Sequence, residues 1–256
     1  MKFKPVIVSA HQPNFLPYLG FFDKMQKSDI LVIRDEVLYV RKEYHNRNRI
    51  RINSNNKKIP QSKWLGAPVE ESHDYIKHIK INKDFRHKNK MLWNEYILHN
   101  IKANYQKTPF FAVFFPEIKK IFDNSDEDLI FLNMKIIRFL ARAFNINTKI
   151  IMASELNLKP LHYEKSDASQ DLVNICKALG ADIYLSGSSG KEYLNKEIFA
   201  KEGIEHQFQE YNHPIYPQAF PGFLPYMSAI DALFCYGKMP LSQQLRVLST
   251  PEIIVS

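Results

Sequence analysis

The chain is 256 residues long, 45% hydrophobic and 13% aromatic. A folded chain of that length buries about three quarters of the surface its unfolded form exposes, so disorder, collagen and coiled coil are excluded. Lys and Arg number 35 against 27 Asp and Glu, a formal charge of +8, and an anionic partner therefore fits better than a cationic one. Nucleic acid, an anionic membrane surface, a small phosphorylated metabolite and a plain solvated lysine surface all satisfy that excess.

Residues 5–10 form a short β-branched run that ends at His11, Gln12 and Pro13, and residues 30–33 form a second, closed by Asp35. Both read as buried strands of a parallel sheet. Between them, residues 18–27 have helical apolar spacing, with Pro17 where a first helical turn tolerates proline. Strand, loop, helix, strand is the opening of a crossover unit. From Arg41 the composition changes: Arg41, Lys42, Arg47, Arg49, Arg51, Lys57, Lys58 and Lys63 accumulate against Glu43 alone, which reads as a loop or hairpin outside the core. Residues 64–69 read as a third strand. Residues 88–102 and 117–145 have helical periodicity, and Ile130, Leu132, Ile136, Ile137, Leu140 and Ala141 form the clearest core stripe. A strand over 149–153, a helix over 169–179 stopped by Gly180, a strand over 181–185 and a helix within 191–201 complete the pattern. Alternating strands and helices without repeat or linker predict a single α/β domain over residues 1–256. Its sheet is open and mostly parallel, and residues 85–145 form a helical subdomain.

Cys176 and Cys235 lie in apolar surroundings and match no metal or redox spacing, so they read as reduced core residues. No His, Cys, Asp and Glu cluster has metal-ligand spacing, which argues against a metal-dependent hydrolase. The amino-terminal apolar run is too short for a signal peptide, and no segment approaches the roughly eighteen apolar residues of a membrane helix. A cytoplasmic protein without membrane insertion is expected.

Four constellations could carry chemistry. His11, with Gln12 beside it, follows a strand, and ligands of open α/β sheets sit at the carboxyl ends of strands; Asp35 ends the next one. The competing reading is a histidine that only bonds its own loop. Asn46, Arg47, Asn48 and Arg49 offer planar donors suited to phosphate or carboxylate, against a plain solvated loop. Only Tyr44 and Trp64 flank them as stacking aromatics, which counts against nucleic acid. Ser186, Gly187 and Gly190, followed by Lys191, make a turn whose amides could cradle an anion, although the spacing is not that of a P-loop and an ordinary turn has the same composition. The aromatic and proline-rich stretch 211–225 with Ser228 and Asp231 presents His213, Tyr216 and Gln218 as polar tips for a sugar or base pocket, or packs as an irregular end.

Taken together these residues resemble the WbqC-like proteins, found among bacterial genes for O-antigen and other surface polysaccharides. The likeness is carried by His11, Gln12 and Pro13 with Pro17, Gly20, Asp23 and Lys24. It continues through Ser28, Asp29, Asp35, Val37 and Tyr39, through Asn46 to Arg49, and through Trp64, Leu65, Pro68 and Val69. It ends with Ser186, Gly187, Gly190, Tyr193 and Leu194, then His213, Tyr216, Gln218, Phe220, Phe223, Ser228, Asp231 and Gly237. Leu38 and Cys235 depart from the pattern, where glutamine and asparagine are usual. The resemblance implies a lipopolysaccharide-type transferase that N-acylates a nucleotide-linked amino sugar with an acyl or aminoacyl group. His11, Asp35 and His213 would be catalytic, with His11 taking the proton from the sugar amine. Gln12, Asn46 to Arg49, Ser186, Gly187, Gly190, Tyr193, Tyr216, Gln218, Ser228 and Asp231 would contact substrate, the Asn46 to Arg49 stretch holding the nucleotide diphosphate. An acyl-donor carrier is an expected partner; the donor, the sugar and the oligomeric state stay open.

A fainter similarity to the start of a nucleotidylyltransferase or pantothenate-synthetase-like domain, with Tyr18 and Phe21 where two histidines would stand, suggests an ATP-dependent ligase or nucleotidylyltransferase as the alternative. A non-catalytic scaffold for polysaccharide assembly is a third.

Overall fold

The computed structural model describes residues 4–53, 59–70, 73–125, 127–158 and 168–237; Lys57 and Lys58 of the basic segment lie outside them. In chain order the strands are β1 (Ile7–His11), β2 (Ile30–Ile33), β3 (Arg47–Ile52), β4 (Gln61–Gly66), β5 (Lys149–Met152), β6 (Ile183–Ser186) and β7 (Glu205–Phe208). The helices are α1 (Leu19–Gln26), α2 (Trp93–Tyr105), α3 (Phe111–Asp123), α4 (Leu129–Ala143), α5 (Ala168–Leu179), α6 (Lys196–Lys201) and α7 (Ala229–Tyr236). The chain gathers into two compact units that alternate along its length. One holds Met1–Pro13, Asp23–Leu38 and Asn147–Tyr211, the other Asn14–Phe22, Tyr39–Ile146 and Asn212–Ser256.

The first unit is the expected α/β layer. Five strands run in the order β5-β2-β1-β6-β7, every neighbouring pair parallel. Burial explains the choice: all four residues of β6 and the middle three of β1 are buried, as strands covered on both faces must be. One face carries Val8, Ala10, Val32 and Tyr184 against Leu172, Val173 and Cys176 of α5 and Phe199 of α6. β7 is absent from the sequence reading because its residues alternate polar and half-buried at the edge of the sheet, without an apolar run.

The second unit packs α2, α3, α4 and α7 around aromatic side chains, including Trp93, Tyr105, Phe122 and Phe234, all at most 2% exposed. The six stripe residues of α4 are all buried. The helix expected over 117–145 is two helices, since Asp128 takes an extended conformation (φ −85°, ψ 128°) that ends any continuous ladder. The helix expected from 88 begins at Trp93, because Leu92 is also extended (φ −60°, ψ 153°). The basic segment is the antiparallel hairpin β3–β4, paired from Arg47↔Gly66 to Ile52↔Gln61. Its exclusion from the core is corrected: Ile50, Arg51 and Leu65 are at most 1% exposed. Both cysteines are free, Cys176 buried and Cys235 half-buried. No helix among the described residues is long and apolar enough to cross a membrane.

Candidate functional site

In the first unit the chain passes from β1 to β2 on one side and returns through β6 on the other. The carboxyl ends of β1 and β6 therefore flank the point where strand order reverses, the usual place for a ligand in an open parallel sheet. The ladder between them covers Ile7↔Ile183 and Val8↔Tyr184 and stops short of those ends.

His11 ends β1 half-buried, with Nδ1 2.9 Å from the carbonyl of Gln12, itself exposed. A carbonyl only accepts, so Nδ1 carries the hydrogen and the neutral ring has its lone pair on Nε2. Asp35, 3% exposed, accepts from the backbone N–H of Ser154 (3.0 Å) and from its hydroxyl (2.6 Å). Both carboxylate oxygens thus grip the turn that follows β5.

At the end of β6, Ser186 is 2% exposed and its Oγ lies 2.9 Å from Nε2 of His206 in β7. Gly187 has an ordinary φ of −68°. Gly190 is glycine for space, because a Cβ there would lie 3.0 Å from Ser186 Oγ and 3.0 Å from Leu194 Cδ1. Tyr193 is exposed.

Lys24, on the part of α1 that belongs to this unit, received no chemical role from the sequence. The residue is 4% exposed, and its ammonium donates 2.9 Å to the carbonyl of Ala10, one residue before His11. A Cβ on Gly187 would lie 4.0 Å from its Nζ, so the amine reaches both flanks of the strand reversal. No carboxylate among the described residues pairs with it. Burial without a counter-charge lowers its pKa from the ordinary 10.5 to about 7. Such an amine exchanges a proton at neutral pH. A lysine between Phe22 and Met25 on a helix was the available signal.

The remaining candidates lie in the second unit. Asn46 donates to the carbonyl of Ala67 (2.8 Å). Asn48, 1% exposed, donates to that of Leu16 (2.7 Å) and accepts from the N–H of Arg49 (2.8 Å). Arg47 donates to the Lys42 carbonyl and lies 4.3 Å from the centre of the Trp64 ring, with Arg49 at 5.5 Å. Trp64 is itself 42% exposed beside Tyr44.

Asp231 is fully buried and accepts from the phenols of Tyr105 (2.7 Å) and Tyr216 (2.8 Å) and from the amide of Gln218 (2.9 Å). Burial raises its pKa against those three donors and pushes both phenols well up, so they stay protonated. Gln218 also clasps the backbone of Leu224 at both its N–H and its carbonyl. Ser228 caps α7. The Nδ1 of His213 donates to the Pro214 carbonyl (2.8 Å), and burial among Tyr216, Phe223 and Tyr226 lowers its pKa. Asp231, Tyr216 and Gln218, read as substrate contacts, turn their polar atoms on one another and on the chain. Across the described residues no group of three or more His, Cys, Asp or Glu could hold a metal.

The sequence profile of the WbqC-like protein family matches residues 12–242. The chain is also similar to "Uncharacterized protein Rv1507c" of Mycobacterium tuberculosis, 25% identical over 233 residues that span 90% of this chain and 94% of that protein. No solved structure matches it.

Proposed function

This chain belongs to the WbqC-like protein family, and on that premise we propose that it is a transferase of bacterial surface polysaccharide biosynthesis that N-acylates, with an acyl or aminoacyl group, a nucleotide-linked amino sugar. The observation that carries the reading is the placement of Lys24, a buried amine that donates to the Ala10 carbonyl and has no carboxylate partner among the described residues, where the parallel sheet reverses its strand order; burial lowers its pKa to about 7. In N-acylation the sugar nitrogen attacks the donor carbonyl, sheds a proton, and the donor's leaving group departs with one. His11, its lone pair on Nε2, takes the proton from the nitrogen. Lys24 in its ammonium form faces the charge that develops on the carbonyl oxygen and returns a proton to the leaving group. Asp35 positions the neighbouring turn through Ser154.

The test is product formation, followed by mass spectrometry, from a panel of nucleotide-linked amino sugars and a panel of acyl and aminoacyl donors. His11→Ala and Lys24→Met should each lower turnover by about 100-fold or more while the nucleotide sugar still raises the melting temperature. Turnover unchanged in both variants would overturn the reading. Consumption of ATP in the same assay would favour the ligase or nucleotidylyltransferase alternative, and tight protein association without turnover the scaffold.

A further inference from the structure

A second feature of the first unit lies outside the strand reversal. An open cavity of about 980 Å³ borders the edge strand β7, lined by Lys27, Lys191, Lys196, His206 and Phe208 over an apolar floor that includes Leu185. Two of these cations converge on one ring: Nζ of Lys196 is 4.8 Å and Nζ of Lys191 5.5 Å from the centre of Phe208. Neither has a carboxylate partner among the described residues. Lys27 is bonded to Asp23 and to the backbone carbonyl of Glu210, whose side chain is the one acidic group on the cavity wall. His206 packs against Phe208 at 4.5 Å between ring centres. Its Nε2 meets Ser186, but its Nδ1 is buried with no hydrogen-bond partner. Two ammoniums without a carboxylate partner among the described residues and an aromatic wall therefore share one cavity, next to a histidine whose Nδ1 is buried without a partner.

We propose that this cavity binds the nucleoside diphosphate moiety of a substrate. The pyrophosphate bridges Lys191 and Lys196, and the planar base lies on the Phe208 and leucine surface. The volume suits a nucleotide, since pockets for such ligands span roughly 300 to 1,000 Å³. A simple inorganic anion would use the lysines and leave the aromatic wall unanswered. The proposal rests on the transferase reading only for the origin of the nucleotide: a coenzyme A-type acyl donor and a nucleotide sugar both carry the group, and the test separates them.

Binding of ADP, coenzyme A and UDP-N-acetylglucosamine is measured by calorimetry, without an acceptor, on the whole chain. Lys191→Ala with Lys196→Ala should weaken at least one ligand by about tenfold or more, with Phe208→Leu weakening the same ligand. Lys119→Ala with Lys120→Ala, an exposed pair elsewhere, should change it less than about twofold, as general screening of charge would. Loss confined to coenzyme A assigns the cavity to the donor, loss confined to the UDP-sugar assigns it to the acceptor, and either supports the class. Equal loss in the two lysine pairs, or no binding of any of the three at about 1 mM, overturns it. Unchanged melting temperatures verify that the variants fold, both lysines being exposed. Lys24→Met should leave this binding intact, so a failed transferase reading and a failed cavity give different results.

Discussion

Among the described residues each unit buries one Lys or Arg, and the two are treated in opposite ways. Arg51, 1% exposed, sends its guanidinium to the carbonyls of Gln61, Phe220, Pro221 and Gly222, while its own backbone N–H donates to the phenol of Tyr105. Lys24, 4% exposed, has one hydrogen-bond partner among the described residues, the carbonyl of Ala10. The two terminal nitrogens of Arg51 reach a ring of carbonyls, although Nε is buried without a partner, and so tie a hairpin to a loop. A buried ammonium with one bond keeps an unmet electrostatic demand, which shows up as the pKa near 7. Burial of a charge alone says little about function; the balance between demand and supply around it separates a structural cation from a reactive one.

That contrast can be broken from either side. Arg51→Met strands four carbonyls and should cost about 3–5 kcal/mol of stability in urea unfolding, the range for breaking a buried charged network; a loss under about 1 kcal/mol would make Arg51 as uncompensated as Lys24. A smaller effect separates Lys24 by pH. Folded Lys24 releases its proton near 7 and the unfolded chain near 10.5. Between those values the unfolded state binds more protons, so this site makes stability rise with pH, by at most about 1.4 kcal/mol per unit. Relative to Lys24→Met, the wild type should therefore gain stability from pH 7 upward and show no such trend below it; parallel curves would refute the buried amine. Tyr216→Phe removes one of the three donors to Asp231 and should cost about 1 kcal/mol by thermal unfolding. Smallest of all is Gly187→Ala, where the added methyl would meet Lys24 Nζ at 4.0 Å, an ordinary van der Waals contact, and stability should change by less than about 0.5 kcal/mol, while turnover falls because the methyl stands beside that amine.

The parts legible in the sequence were those where local composition decides the outcome. The β-branched runs of β1 and β2 have no other stable place than a covered parallel sheet, and the α4 stripe repeats at helical spacing. His11 could be placed because a strand ends there. What escaped depends on distant partners. Arg51 looks like one more solvated base until the carbonyls of residues 220–222 reach it, 169 to 171 positions along the chain. Lys24 looks like an ordinary helix lysine until Ala10 and Gly187 close around it. The break before α4 falls at the polar run 123–128, which the stronger apolar periods of the flanking segments masked.

The three-segment make-up of the sheet unit has a consequence for how the chain acquires its fold on the ribosome. β1 and β2 emerge first, yet β1's other neighbour, β6, arrives much later; the bond from the Val6 N–H to Asp182 joins residues 176 positions apart. Until then the early strands carry unpaired, apolar edges while residues 39–146 assemble among themselves. Pairing at such separation is slow because a long loop must close before any contact rewards it. Truncation of nascent chains before β6 should therefore yield species that bind chaperones and aggregate, with the late arrival of β6 as the step that commits the protein to solubility.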